Sequence, residues 1–365
     1  MNVTQRTERL VLTEPLRISR SIMAARDAVR LTVGHEGLHG HGEAVTSVYY
    51  GLDTSTLQRL IAETAGQLAR FGDRRQPCTP CARASSAGPP PRRGDRCRRG
   101  ALLDLVGKRT ATAVHRFLGS SSAPRTATAR TISLTSAGRA ATQARRLADA
   151  GFTVIKIKAG DPDPELDLDR VRAVRGGPGA RLLLDPNGAW TAPQARRLLP
   201  RFGELGIEAV EQPLAPGDPE TLARLAERSP VPVIADEDAV SYEDARRLAG
   251  RVHGINVKLA KCGGVHEALR IAALIEGSGT ELMLGCLTAS TLGIAPAVHI
   301  ADRARWIDLD GHLLLSHDPW TGIGGSDGFV AASERPGLGV RPRGTAPDEA
   351  LPGLPEPRTS CGVAL

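Results

Sequence analysis

The chain has 365 residues, 41% of them hydrophobic and 3% aromatic, with a formal net charge of +7. That length exceeds one ordinary core and suits a barrel of about 200 residues with a smaller companion domain. Between Arg74 and Arg99 there are eight arginines and one acid, Asp95, so this segment accounts for the whole +7. With few aromatic rings to stack bases, a nucleic-acid partner is not expected. No run reaches the roughly 18 apolar residues of a membrane span, and MNVTQRTERL lacks an apolar signal core, so no membrane partner and a cytoplasmic address are expected.

Residues from about 10 to 50 alternate apolar and polar positions and predict two or three antiparallel strands. Thr54 to Arg70 reads as an amphipathic helix. Residues 74 to 100, with Pro89, Pro90, Pro91 and many arginines, read as a loop or a disordered stretch. Cys78 and Cys81 form a CxxC there, and Cys97 follows, but no fourth ligand stands at zinc-finger spacing, so free thiols are expected. A second helix is predicted from Ala101 to Gly119. From about residue 128 the pattern becomes β/α, with apolar runs near 129–134, 153–158, 181–185, 207–211, 232–236, 254–258, 281–285 and 306–310. Most are separated by helix-like segments such as TAPQARRLLPRFG, which implies eight parallel strands closed into a barrel.

Barrel enzymes carry their chemistry at the carboxyl ends of the strands. Asp185, Glu211 and Asp236 end three consecutive runs, LLLDPN, IEAVEQP and VPVIADED. Three hard oxygen donors without cysteine or histidine suit Mg²⁺ or Mn²⁺ rather than zinc. Asn187 and Glu237 adjoin two of these acids and are expected to hold the carboxylates and the opposite lysine in place. Lys156 and Lys158 stand two apart on one strand and share a face; their mutual repulsion and a nearby dication would lower an amine toward the range of a general base. Lys258 ends the sixth strand, about half a circumference away. Two amines on opposite faces of a substrate α-carbon can take and return a proton and so invert it. Lys261 is a weaker candidate because its odd offset from Lys258 puts it off the inward face or in the loop. Asp308 and Asp310, again two apart, are placed to bind an ammonium group. The Gly-rich TGIGGSDG at 321–328 lacks a phosphate-loop Lys-Ser/Thr and reads as a turn.

At these residues the chain resembles the enolase superfamily in its muconate lactonizing enzyme subgroup, and most closely the dipeptide epimerases of the Ala-Glu epimerase type. The similarity is carried by GHGEA at 40–44, KIK at 156–158, LLLDPN at 182–187, VEQP at 210–213, ADE at 235–237, NVKLAKCGG at 256–264 and PGLGV at 336–340. The resemblance implies an α+β cap over a modified (β/α)₇β barrel, here residues 1–125 with the tail from about 326–365, and 126–325. It implies an isomerase with Mg²⁺ on Asp185, Glu211 and Asp236, Lys158 and Lys258 as the acid/base pair, Lys156 assisting, and Asp308 and Asp310 on the α-ammonium of a dipeptide. The family's mobile cap loop would fall at about 16–27, where Arg17, Arg20 and Arg26 are placed to favour an acidic side chain, and Cys286 and Thr288 would line the pocket. A homo-oligomer is compatible with the fold. Two rivals remain: a cycloisomerase or succinylbenzoate synthase on the same scaffold, and a non-catalytic relative with a disrupted cap, since 76–100 departs from the family's apolar helix.

Overall fold

The alternation at the start of the chain builds an antiparallel sheet of β1 (Asn2–Ile18), β2 (Ser21–His35) and β3 (Leu38–Val45). The computed structural model describes residues 1–72, 95–177 and 179–344. Val29, Leu31, Val33 and Ala44 of the sheet pack on Leu57 and Ile61 of α1 (Thr54–Gly72) and on Cys97, Ala101 and Leu105 of α2 (Asp95–Arg109). Gly40 and Gly42 allow this: a Cβ on either would stand 2.1 Å from a carbonyl oxygen of α2, that of Ala101 or Cys97.

Four expectations change here. Strand pairing begins at Asn2 rather than near residue 10, and most of 16–27 is hairpin rather than loop, with Leu16 opposite Met23, Arg17 opposite Ile22 and Ile18 opposite Ser21. Helix α2 begins at Asp95, inside the expected loop, because Cys97, Gly100 and Ala101 give it a small-residue face for β3. The helix predicted for 101–119 is two, α2 and α3 (Val114–Phe117), broken at Thr110–Ala113, where Ala111 has φ 51°. The break admits the C-terminal run: Gly337 N–H donates to Thr112 O, and Val114 N–H donates to Gly337 O. Cys78, Cys81 and most of the arginine-rich stretch lie outside the described residues, as does the tail beyond 344.

After β4 (Arg125–Ala127) come eight parallel strands, β5 (Arg130–Ile132), β6 (Val154–Lys158), β7 (Arg181–Asp185), β8 (Ile207–Glu211), β9 (Val233–Ala235), β10 (Gly254–Lys258), β11 (Glu281–Gly285) and β12 (Trp306–Asp308), in sequential order. Between them lie α4 (Ala137–Asp149), α5 (Pro164–Arg175), α6 (Ala192–Glu204), α7 (Pro219–Glu227), α8 (Tyr242–Leu248), the short α9 (Leu259–Cys262) with α10 (Val265–Ile275), and α11 (Thr291–Val298). Asp163, Thr191, Asp218 and Ser241 cap four of the helices with side-chain oxygens. The seam between β12 and β5 is closed by Ala129 N–H on Ile307 O at 2.8 Å. The architecture is a modified (β/α)₇β barrel beneath an α+β cap. The chain returns through β13 (Trp320–Thr321), β14 (Phe329–Ala331), which pairs with β4, and β15 (Arg341–Pro342), which pairs with β13.

Period two sorts each strand. Ile155, Ile157, Leu182, Leu184, Val257 and Leu284 join the outer core under the helices. Ala129, Val154, Leu183, Ala209, Ile234, Met283 and Trp306 form a separate apolar plug inside the barrel floor. Above that plug, the next inward positions on β6, β7, β8 and β12 are charged.

Candidate active site at the barrel mouth

On β6 the inward residues after Val154 are Lys156 and Lys158; on β7, β8, β10 and β12 they are Asp185, Glu211, Asn256 with Lys258, and Asp308. Asp236 follows β9 directly. All are buried. Lys156 Nζ lies 2.9 Å from Asp185 Oδ2, 2.5 Å from Glu211 Oε2 and 2.8 Å from Asp308 Oδ2. Lys158 Nζ donates to Asp185 Oδ2 at 2.6 Å and to Asn187 Oδ1 at 3.2 Å. Lys258 Nζ donates to Asp236 Oδ2 at 2.6 Å and stands 3.7 Å from Glu211 Oε1. Lys156 thus spans Asp185 and Glu211, and Lys258 spans Glu211 and Asp236.

Charge and burial pull these groups apart. Burial tends to lower Lys156 and Lys258, but the surrounding acids outweigh it and hold both well above the ordinary amine value, Asp185, Asp308 and Glu211 for the first and Asp236 and Glu211 for the second. At Lys156, therefore, carboxylates rather than a neighbouring amine dominate. Burial tends to raise Asp185 and Asp236, yet Lys156 and Lys158 hold the former, and Lys258 and Lys261 the latter, well below the usual carboxylate range. Glu211 goes the other way, to about 7, through burial and the charges of Asp185 and Asp236.

Among the described residues no three His, Cys, Asp or Glu side chains stand ready-assembled as a metal cage. The donor chemistry nevertheless fits a hard dication. Asp185, Glu211 and Asp236 are all-oxygen, buried and gathered within reach of shared ammoniums, and Glu211 Oε2 accepts no well-formed hydrogen bond despite its close ion pair with Lys156. Its elevated value marks a surplus of negative potential that a dication would relieve.

The remaining predicted residues fall as follows. Asn187 N–H donates to Asp185 Oδ1 at 2.9 Å, so it touches both a carboxylate and a lysine. The bonds of Glu237 run instead to the cap: Arg20 Nη2 donates to its Oε1 at 2.6 Å, while Arg20 Nη1 donates to Asn187 O at 2.7 Å and the guanidinium stacks over Tyr49. Arg20 therefore clamps the β1–β2 turn to the barrel rim. Asp308 Oδ1 is buried without a hydrogen-bond partner, whereas Asp310 Oδ2 accepts from Thr131 N–H at 2.7 Å and from Arg130 Nη1 at 3.2 Å. Cys286 and Thr288 follow β11 beside Gly311. Burial and the charges of Asp308 and Asp310 push the Cys286 thiol up, which keeps it protonated.

The profile of the family described as enolase C-terminal domain-like matches residues 139–346. The chain belongs to that family. Within it, the hydrophobic dipeptide epimerase of Roseobacter litoralis is 31% identical over 351 residues, covering 93% of this chain and 98% of the relative. The L-Lys-D/L-Arg epimerase of Methylococcus capsulatus is 33% identical over 366 residues, with 93% and 98% covered. The dipeptide epimerase of Enterococcus faecalis complexed with Mg and L-Leu-L-Tyr superposes with a TM-score of 0.81 at 28% identity, again with 93% and 98% covered.

Three residues of this family member were missed or ranked too low by the sequence reading. Asn256 Nδ2 donates to Glu211 Oε1 at 2.7 Å; its position two before Lys258 carried the signal. Lys261, discounted for its odd offset, is buried with Nζ on Asp236 Oδ1 at 2.5 Å, Asp236 O at 2.7 Å and Asn256 O at 2.8 Å. The strand ends at Lys258 and the single turn of α9 replaces a period of two by one of 3.6, which swings Lys261 back under the site. Gln212, inside the quoted VEQP, is the third.

Proposed function

We propose that the chain is a Mg²⁺-dependent dipeptide epimerase that inverts the Cα of the C-terminal residue by 1,1-proton transfer through an enediolate. The observation that carries this reading is the pair Lys158 and Lys258, buried four strands apart around the barrel and each bonded to an acid of one carboxylate cluster. One amine takes the Cα proton, the bond's electrons move onto the substrate carboxylate, and the other ammonium returns a proton to the opposite face. The amines end with exchanged protonation states and re-equilibrate with solvent. Asp185, Glu211 and Asp236 would hold the metal, which supplies Lewis-acid stabilisation of negative charge on the carboxylate; Mn²⁺ would serve as well, since an all-oxygen set does not separate the two. Lys156 keeps the carboxylates together, and Asn187 orients Lys158.

Asp308, with one oxygen unpaired in the interior, is assigned to the α-ammonium of the dipeptide, with Asp310 on the following turn and Cys286 and Thr288 at the same rim. Pairing of the Arg20 charge with Glu237 argues against its selecting an acidic side chain. The cap is assigned to 1–125 with the returning run from about 326, which packs on α2 and α3, and the barrel to 126–325. Among the described residues no helix is long and apolar enough to cross a membrane.

Proton NMR in D₂O with dipeptide libraries tests the activity: Cα deuterium should enter the C-terminal residue as both epimers accumulate, and no exchange with any dipeptide rejects the reading. Asp308→Asn should cost at least about tenfold in kcat/KM for dipeptides by weakening a charge-assisted contact. A cycloisomerase or succinylbenzoate synthase, whose substrates carry no ammonium, would be largely indifferent to it.

A further inference from the structure

Gln212 directly follows Glu211, is fully buried and has φ 37°, a left-handed backbone that residues other than glycine seldom adopt. Pro213 follows and ordinarily drives the preceding residue to an extended conformation, so Gln212 is held where it is by its bonds. Those bonds reach all three carboxylate-bearing loops. Its backbone O accepts from Gly188 N–H at 2.7 Å, in the turn after Asp185, and its N–H donates to Ile234 O at 2.8 Å, two residues before Asp236. Its side-chain Oε1 accepts from Asp236 N–H at 2.9 Å and Asp238 N–H at 3.3 Å, while Nε2 donates to Asp238 Oδ2 at 2.8 Å and Leu214 O at 2.9 Å. A primary amide offers two donors and two acceptor sites, and every one is used. Asp238 in turn accepts from Gly217 N–H at 2.7 Å, fixing the far side of the β8 loop.

From this geometry we infer that Gln212 is a positioning residue for metal binding: it sets the spacing of the strand ends that carry Asp185, Glu211 and Asp236. The inference rests on the assignment of those acids to a metal. A side chain that only filled space would not match four polar partners on two loops, and an apolar core residue would not be held in a left-handed conformation. Loosening the hub leaves each carboxylate in place on its own strand but lets their separations vary, which weakens binding of an ion that needs all three at once.

The test is Mn²⁺ titration of the full-length, metal-stripped protein, followed by the electron paramagnetic resonance signal of free Mn²⁺, with circular dichroism fixing the folded fraction. Gln212→Gly relieves the backbone strain while removing the amide and should bind Mn²⁺ about 10- to 100-fold more weakly than wild type in its folded fraction. Asp238→Ala keeps Gln212 but removes the acceptor that fixes its amide, and should weaken binding several-fold. Folded Gln212→Gly that binds within twofold of wild type overturns the inference; should that variant not fold, unchanged binding by Asp238→Ala overturns it. Wild type and Glu211→Gln serve as controls. If wild type binds no Mn²⁺, or Glu211→Gln binds as tightly, the metal assignment itself falls; if both controls behave and only the Gln212 and Asp238 variants match wild type, the hub alone falls.

Discussion

Glu211 sits at about 7 because burial and two neighbouring carboxylates disfavour its charge. On the proposed assignment a metal displaces that proton, so Mg²⁺ affinity should climb by up to about tenfold per pH unit from pH 5.5 to 7 and flatten above, measured calorimetrically with proton release in buffers of different ionisation enthalpy. A flat profile would mean that Glu211 is not among the ligands. The same shift bears on folding. A carboxyl raised above its ordinary 4.5 binds its proton more tightly when folded, so its contribution is present on the acid side and is lost as pH rises from about 4.5 through about 7. His41 and His299, pushed down by burial to about 3 and about 4, act in the opposite sense over overlapping pH. The Glu211 part is therefore read as a difference: metal-free Glu211→Gln should gain stability over wild type between pH 5 and 7.5, by an amount on the order of 3 kcal/mol in urea denaturation. For the lysines, Lys158→Ala and Lys258→Ala should each lower epimerisation by about 10²- to 10⁴-fold, and each should abolish Cα exchange starting from a different epimer. Equal residual exchange from both epimers in either variant would place the two amines on the same face.

At the scale of single elements, the barrel strands place chemistry by parity. Asp185, Glu211 and Lys258 were legible because each closes an apolar run, and the inward parity that buries Leu183 or Ala209 in the floor presents the next inward side chain to the mouth. Parity also demands space. Gly254 lies inward on β10 at the floor, where a Cβ would stand 2.7 Å from the Trp306 ring and 3.0 Å from Ile234. Gly254→Ala should cost about 1–3 kcal/mol through overpacking, seen as a lower Tm with metal affinity retained. A variant as stable as wild type would mean that the floor plug is loosely packed. Gly285 plays the matching part higher up, where a Cβ would stand 2.4 Å from the Asn256 amide that bonds Glu211. Parity fails where a strand gives way to another period: Lys261 after one turn of α9, and Gln212 in its left-handed turn, could not be placed by counting.

For the whole molecule the decisive contact is between cap and barrel. The β1–β2 hairpin crosses the barrel mouth: Arg17 N–H donates to Ser133 Oγ, Ser19 Oγ donates to Pro186 O, and Arg20 bonds both Asn187 O and Glu237, so its turn spans loops after three barrel strands. The Lys158 and Lys258 side chains beneath are only 11% and 10% exposed, which is the water-excluded environment that proton transfer at a carbon acid needs. Arg20→Ala should raise KM several-fold with a smaller effect on kcat and speed amide hydrogen exchange in residues 16–23. A fall in kcat at unchanged KM would point instead to Arg20 acting on the reacting atoms.

The chain's own text determined the barrel, its strand limits to within a residue or two, and which acids and lysines stand at the strand ends, because strand periodicity and runs of apolar residues are local properties. Tertiary structure decided the rest. The Asp308 and Asp310 pair, alike in sequence, divides into one acid with an unpaired buried oxygen and one bonded to Arg130 and Thr131. Arg20 becomes a clamp rather than a free cation, and Gln212 joins three loops from positions that are distant along the chain. Hydrogen bonding and burial depend on which strands become neighbours around the barrel, and no local pattern encodes those partners.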